Sequence, residues 1–283
     1  MSSLALSSNL PITDLSQIDR LGLIAGEGAF PLLIARAARD FAVPVTAFGL
    51  RGVTPPELES EVNNMHWLEM GQFDRLIRLF HEDGISKTIM AGRIKHTSIF
   101  QLVKIDRRGL KLMARMLNKK ANSVLGVFTS ELESENIQVL DSTLFLKNCM
   151  PPKGLLTRRR PSKEIERDIQ FGFDLAKQIA GLDVGQTVVV KGQTVVAVEA
   201  MEGTDATIER AGEIAGKGIV VVKVSKPQQD RRFDVPVLGL TTIKKLARAR
   251  GAALAFSGDE TLFFDQREAI ALAEENKITI VGV

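Results

Sequence analysis

The chain has 283 residues, 37 basic and 34 acidic, for a formal net charge of +3, and 45% of it is hydrophobic. That composition excludes disorder as the main state, and acids and bases alternate along the chain, so no nucleic-acid partner is expected. The single cysteine, Cys149, excludes an intrachain disulfide and a multi-cysteine metal site, and no apolar run approaches the roughly 18 residues of a membrane span, so the reading is a cytoplasmic protein.

At roughly 150 residues per domain the length suggests two domains. A Ser-rich tail, residues 1–18, comes first. Leu21–Ala25 is a short apolar run ending at Gly26, and Pro31 to Asp40 carries apolar residues at helical spacing, so the pair reads as strand, tight turn and helix. A strand at Val43 to Phe48 completes a β-α-β unit; a helix at Asp74 to Glu82, stopped by Gly84, and a strand at Lys87 to Ala91 continue the alternation. The expectation over 19–147 is a Rossmann-like parallel-sheet domain, with ligands at the carboxyl ends of its strands. Further on, Arg107, Arg108, Lys111, Arg115, Lys119 and Lys120 share a helix with Leu110, Leu112, Met113, Met116 and Leu117: a solvated face over a packed stripe, or a face for a partner or anionic lipid.

Residues 148–161 hold three prolines and the triplet Arg158-Arg-Arg160, and read as an interdomain linker. Ser162 then caps a helix whose apolar positions run from Ile165 to Ile179, with Gly181 as its stop. Thr187 to Val190 and Thr194 to Glu199 flank the hairpin turn Lys191-Gly-Gln193. Helices at Ala206 to Ala215, Thr241 to Ala249 and Asp265 to Glu275 alternate with strands at Ile219 to Val224, Ala252 to Phe256 and Ile278 to Val281. Asp265 with Glu268 fits a capping box. Residues 162–283 thus form a second, C-terminal α/β domain.

Three segments carry residues suited to chemistry. Gly26-Glu-Gly-Ala-Phe-Pro31 opens like a dinucleotide fingerprint but lacks the third glycine, and reads either as a phosphate or sugar-nucleotide contact or as a structural turn. Glu199-Ala-Met-Glu-Gly-Thr-Asp205 leaves a strand with three carboxylates: Thr204 or Asp205 caps the next helix, or Glu202 and Asp205 offer hard oxygens to a divalent cation. Lys226-Pro-Gln-Gln-Asp-Arg-Arg-Phe-Asp-Val-Pro236 follows an apolar strand; Lys226, Arg231 and Arg232 can stabilise phosphate charge, and Asp230 or Asp234 can take a proton or hold a metal. His66, His81 and His96 are not at metal-ligand spacing, and Cys149 has no activating neighbour in sequence.

Taken together, Leu23-Ile-Ala-Gly-Glu-Gly-Ala-Phe-Pro31, Val195-Val-Ala-Val-Glu-Ala-Met-Glu-Gly-Thr-Asp205 and the Lys226–Pro236 segment resemble the LpxI-type UDP-2,3-diacylglucosamine pyrophosphatases of Gram-negative lipid A synthesis. Ala91-Gly92 and Val184-Gly-Gln-Thr187 are shorter matches in the same order. The resemblance implies cleavage of UDP-2,3-diacylglucosamine by water to lipid X (2,3-diacylglucosamine 1-phosphate) and UMP, with Mg²⁺ as cofactor and the lipid-bearing substrate between two domains. It implies a homodimer and peripheral contact with the cytosolic face of the inner membrane. Catalysis is tied most closely to the carboxylate before the Val-Pro pair, here Asp234, with Asp230, Lys226 and Arg231 around it; Asp234, Glu202 and Asp205 would hold the metal. Ala29, Phe30, Gly92, Ser98, Gln186, Thr187, Thr204 and Asp205 would line the substrate site. In two places the sequence departs from the family: Glu27 interrupts a run of glycines, and Gly92 is followed by Arg-Ile-Lys-His-Thr rather than Arg-Pro. A nucleotide-dependent oxidoreductase built on the Gly26 loop, or a non-catalytic sugar-nucleotide or lipid-binding regulator, are the other classes the residues admit.

Overall fold

The computed structural model describes residues 15–94, 105–116 and 121–283. Contacts divide the chain into two compact units. The first runs to Phe145 and includes Arg231–Phe233; the second comprises Leu146–Asp230 and Asp234–Val283.

In the first unit the elements are β1 (Leu21–Ala25), α1 (Phe30–Asp40), β2 (Val45–Leu50), β3 (Asn64–Leu68), α2 (Phe73–Glu82), β4 (Lys87–Ala91), α3 (Arg107–Met116), α4 (Ala121–Ser134) and β5 (Gln138–Val139). Their sheet is wholly parallel in the order β3-β2-β1-β4-β5, the Rossmann-like arrangement expected from the alternation of strand and helix periods. The helices pack because their apolar faces have nowhere else to go. Leu76, Ile77 and Phe80 of α2 lie on the sheet with Leu132 of α4, and Phe80 stacks on Phe48 of β2 at 4.2 Å between ring centroids. Phe233 packs against this same cluster. On α3, Leu112 is buried, while Arg108 is bound by Asp74, Glu131 and Glu135 and Arg115 by Glu131, so part of the basic stripe is matched by acids within the unit. Lys119 and Lys120 lie outside the described residues.

The second unit contains β6 (Gly154–Leu155), α5 (Lys163–Gly181), β7 (Thr187–Lys191), β8 (Thr194–Val198), α6 (Thr204–Ala215), β9 (Val220–Lys223), β10 (Val237–Leu238), α7 (Leu240–Arg248), β11 (Ala253–Phe256), β12 (Leu262–Phe263), α8 (Gln266–Glu275) and β13 (Thr279–Gly282). Six strands form a mixed sheet ordered β6-β13-β11-β9-β7-β8. Strands β9, β11 and β13 are parallel, whereas β7 runs antiparallel to both β8 and β9. Helix α5 covers one face through Ile169, Ala176 and Ala180. Helices α6, α7 and α8 cover the other, with Ile208, Ile243, Leu246 and Ala269. Both faces of β9 are therefore dry, which is why it reads as a continuous valine run.

Local signals work where a backbone group demands them. Ser162 Oγ accepts from Ile165 N at 3.4 Å and starts α5, which ends at Gly181. The β7–β8 hairpin turns through Gly192 and Gln193, both at positive φ (57° and 53°), and the buried Asp168 of α5 accepts from their two amides at 2.9 and 2.6 Å. Two expectations fail locally. Asp265 has left-handed backbone (φ 49°) and makes no side-chain capping bond, so no capping box opens α8. The stretch 148–161 is built into the second unit: β6 pairs with β13, and Leu156 N donates to Ile280 O.

Candidate active site

The strand ends of the second unit gather its polar side chains. Lys226 follows the carboxyl end of β9, and its Nζ lies 2.6 Å from Asp183 Oδ1 and 2.8 Å from Asp234 Oδ2. Burial alone would lower the Lys226 pKa, but hydrogen bonds and charge from Asp183 and Asp234 raise it above the usual lysine value. Asp234 is gripped elsewhere too: its amide donates to Asp230 O at 2.9 Å, its carbonyl accepts from Gln229 Nε2, and its Oδ1 accepts from Gln186 Nε2 at 3.3 Å. Despite the short ion-pair distance, the angle leaves Oδ2 without a proper hydrogen bond, and Gln186 Oε1 is likewise buried without a partner. Two neighbouring side chains thus each hold one acceptor oxygen in reserve.

Beside them lies a second network, in which Glu199, Thr187 and Lys223 are buried and Gln186 and Thr204 half-buried. Glu199, at the end of β8, accepts from Thr204 Oγ1 at 2.7 Å and from Gln186 N at 3.2 Å, and Thr187 Oγ1 lies 3.3 Å from Thr204 Oγ1. Lys223, the last residue of β9, donates to Thr204 Oγ1 at 2.5 Å. Burial pushes the Glu199 carboxyl up, yet the Lys223 charge and the hydrogen bonds of Thr187, Thr204 and the Gln186 amide outweigh it and leave the group below its ordinary range. Gln186 joins the two networks, through its side chain to Asp234 and its amide to Glu199. A third cluster lies at the same ends of β9 and β11: Lys177 Nζ donates to Ser225 Oγ at 3.0 Å, Ser225 also bonds Glu260, and Ser257 Oγ accepts from Ser225 N.

Asp234, Lys226, Gln186, Thr187 and Thr204 are brought together. Neither Thr204 nor Asp205 caps α6; the helix begins at Thr204 after Gly203, which has φ 82°. Glu202 is bound to Arg210 at 2.6 Å, and that guanidinium holds its carboxyl low; Asp205 Oδ1 accepts from Thr242 at 3.2 Å. Among the described residues no group of three His, Cys, Asp or Glu is placed to hold a metal ion, so Asp234, Glu202 and Asp205 do not form the ligand trio anticipated. Glu202 is held by Arg210 of α6 and Asp205 by Thr242 of α7. Asp230 contributes its carbonyl to the turn that ends at Asp234, and Arg231 is exposed, its carbonyl accepting from both Ser142 N and Oγ. Glu199 is one of the three carboxylates that the sequence places after β8, whereas spacing does not single out Lys223. The available signal for Lys223 is a lysine inside an apolar strand, which has no counterpart motif.

In the first unit, Gly26 and Gly92 serve a close backbone approach. Glu27 N donates to Arg93 O at 2.7 Å and Arg93 N to Glu27 O at 3.0 Å, and a Cβ on Gly26 would sit 2.7 Å from Arg93 O. Gly92 has φ 95°, with Glu27 O 2.8 Å from where a Cβ would be. Ala29 precedes α1 without a side-chain cap, and Phe30 begins it with Pro31 in the first turn. Ser98 and His96 lie outside the described residues. Cys149 is half-buried, and burial pushes its thiol up, away from nucleophilic character.

The second unit defines a class: a mixed-sheet α/β protein with a carboxylate, a lysine and reserve acceptor oxygens at its strand ends, suited to acid-base work on a polar substrate. Family models for the LpxI N-terminal domain and LpxI C-terminal domain match residues 20–149 and 152–281, and the chain belongs to the LpxI family. A relative from Caulobacter vibrioides (strain ATCC 19089 / CIP 103742 / CB 15), UDP-2,3-diacylglucosamine pyrophosphatase LpxI, is 31% identical over 279 residues, covering 93% of this chain and 97% of that protein. Among solved structures, the biotin carboxylase subunit of pyruvate carboxylase is 13% identical with a TM-score of 0.25, over 69% of this chain and 41% of the other. Glycinamide-RNase-transformylase T from Mycobacterium tuberculosis is 12% identical with a TM-score of 0.25, over 64% and 44%. The chain spans less than half the length of these two structures, and at that TM-score neither bears on function. No helix of the described residues is long and apolar enough to cross a membrane.

Proposed function

We propose that the chain hydrolyses the pyrophosphate linkage of UDP-2,3-diacylglucosamine, releasing lipid X and UMP in lipid A synthesis. Support comes from membership of the LpxI family and from the relative named for that activity. The observation that carries the assignment to a site is Asp234: a residue held twice through its backbone and twice through its carboxylate, by Gln186 at Oδ1 and by the Lys226 ammonium at Oδ2. In this reading Asp234 orients a water and takes its proton as the new P–O bond forms and the bridging P–O bond breaks, the leaving half departing as a phosphate. Lys226, shared with Asp183, keeps that carboxylate in place. Mg²⁺ belongs to the same reading. Asp234 Oδ2, which faces the Lys226 ammonium at 2.8 Å, and Gln186 Oε1, buried without a partner, are the hard oxygens that would hold such an ion, and when bound it would supply Lewis-acid polarisation of a phosphoryl oxygen. A diacylated substrate brings peripheral contact with the cytosolic face of the inner membrane, and assembly is as a homodimer.

The test is to incubate the purified protein with UDP-2,3-diacylglucosamine, with Mg²⁺ and then with a chelator, and to follow UMP and lipid X. Release that stops on chelation is expected. Binding without turnover in either condition would replace the hydrolase with the non-catalytic binding protein.

A further inference from the structure

Lys223 is a charged residue in a place where charge is costly. It ends β9, an inner strand of the sheet, paired on one side with Thr187 of β7 and on the other with Phe256 of β11, after Val220, Val221 and Val222, all fully buried. Lys223 itself is only 7% exposed. A methionine of similar length would occupy that position without the cost of desolvating an ammonium.

Its partners do not exhaust it. An ammonium has three N–H donors, and among the described residues Lys223 makes one hydrogen bond, to Thr204 Oγ1. Glu199 balances its charge through that threonine while spending its own oxygens on Thr204 and the Gln186 amide. Lys223 thus has N–H donors in surplus, and both oxygens of the nearest carboxylate, Glu199, are already engaged with other groups, so a further anion can meet those donors. Thr204 is also the first residue of α6, whose N-terminus is uncapped and whose entry glycine, Gly203, has open space around it. By contrast Lys226 lies between two carboxylates, and Arg231 is exposed.

We infer that Lys223 is the phosphate-binding cation of this site, its spare N–H groups meeting the pyrophosphate oxygens together with the first amides of α6. This rests on the proposed hydrolysis for the identity of the substrate, but not for the anion: Lys223 recognises a pyrophosphate whether or not it is cleaved. Thr204 fixes the ammonium's position, and Glu199 in turn holds Thr204.

The test uses the full chain and two readouts. Binding of inorganic pyrophosphate without metal is measured by calorimetry at two salt concentrations, and kcat/KM is measured on UDP-2,3-diacylglucosamine. Lys223→Met is expected to weaken pyrophosphate at least tenfold, to flatten the salt dependence, and to lower kcat/KM about 100-fold, the usual consequence of removing one charge-stabilising donor. Lys223→Arg, which keeps the cation, should recover part of the binding. Should Lys223→Met fail to fold because Glu199 is stranded, the paired variant Glu199→Gln with Lys223→Met removes both charges and takes its place. Pyrophosphate binding by a folded, charge-free variant within threefold of the native protein, with unchanged salt dependence, overturns the assignment. Absence of turnover in the native protein, with pyrophosphate binding still lost on Lys223→Met, would reject the hydrolase and keep the anion site.

Discussion

Replacing Asp234 by asparagine separates a working carboxylate from a structural one. Asp183, Lys226 and Asp234 form a line of three charges with a net charge of −1 and side chains 28%, 15% and 22% exposed. With Lys226 Nζ 2.8 Å from Asp234 Oδ2 and an effective dielectric of about 20, their attraction is about 6 kcal/mol; repulsion between carboxylates roughly 5 Å apart across the ammonium is about 3 kcal/mol. Solvent trims both, and releasing a partly buried carboxylate from its desolvation recovers several kcal/mol. Asp234→Asn is therefore expected to change stability by no more than about 1 kcal/mol, because Lys226 keeps Asp183. Turnover should fall by a factor of about 10² to 10⁴, the usual contribution of a positioned general base. Lys226→Met should behave differently, leaving two acids facing each other at a cost of about 3 to 5 kcal/mol. Urea unfolding followed by circular dichroism gives the stabilities, and release of UMP gives the rates. An Asp234→Asn protein that lost more than about 3 kcal/mol, or that stayed folded with full turnover, would refute the reasoning.

Two further outcomes follow from the same region. Gly185→Ala places a methyl 2.0 Å from the Glu199 carbonyl, a backbone atom that cannot swing aside, so the β7 and β8 ends must part; a lowered urea midpoint, by about 1 to 3 kcal/mol, and lost UMP release are expected, and native behaviour in both would show that the approach is soft. The Glu199 carboxyl is held below its ordinary value in the folded chain, so its stabilisation is fully present above the unfolded value of about 4.3 and drains as pH falls through the folded one. Urea midpoints of native and Glu199→Gln proteins should therefore converge as pH falls below the unfolded value of about 4.3, and a gap that stays constant as pH is lowered would contradict the burial and pairing described.

Much of the fold was legible because it rests on short-range demands. The strand and helix periods of 21–91 give a parallel sheet, and Ser162 and Gly181 bound α5 because a helix end must satisfy its own amides and carbonyls. The hairpin at 191–193 was legible for the same reason. The stretch 148–161 was not: prolines and arginines look like a linker, yet Gly154–Leu155 is an edge strand whose partner, β13, lies more than a hundred residues away. No local pattern encodes such a pairing.

The site divides along the same line. Asp234, Lys226 and Thr204 stand in segments whose spacing marks them, but what each does depends on which other element meets it. Glu202 and Asp205 had the spacing of metal ligands and were claimed instead by Arg210 and Thr242, partners eight and thirty-seven residues away that no reading of the Glu199–Asp205 segment contains. Lys223 shows the converse. Within an apolar run it looks like noise, and only the sheet shows it to be flanked on both sides and nearly dry, with one bond for three donors. A charge kept at such a position works against the stability of the unit that contains it. Had Lys223 been there for folding, Glu199 would meet it directly and use up its donors. Instead the two are linked through Thr204, the first residue of an uncapped helix, which leaves ammonium donors over for the pyrophosphate proposed above.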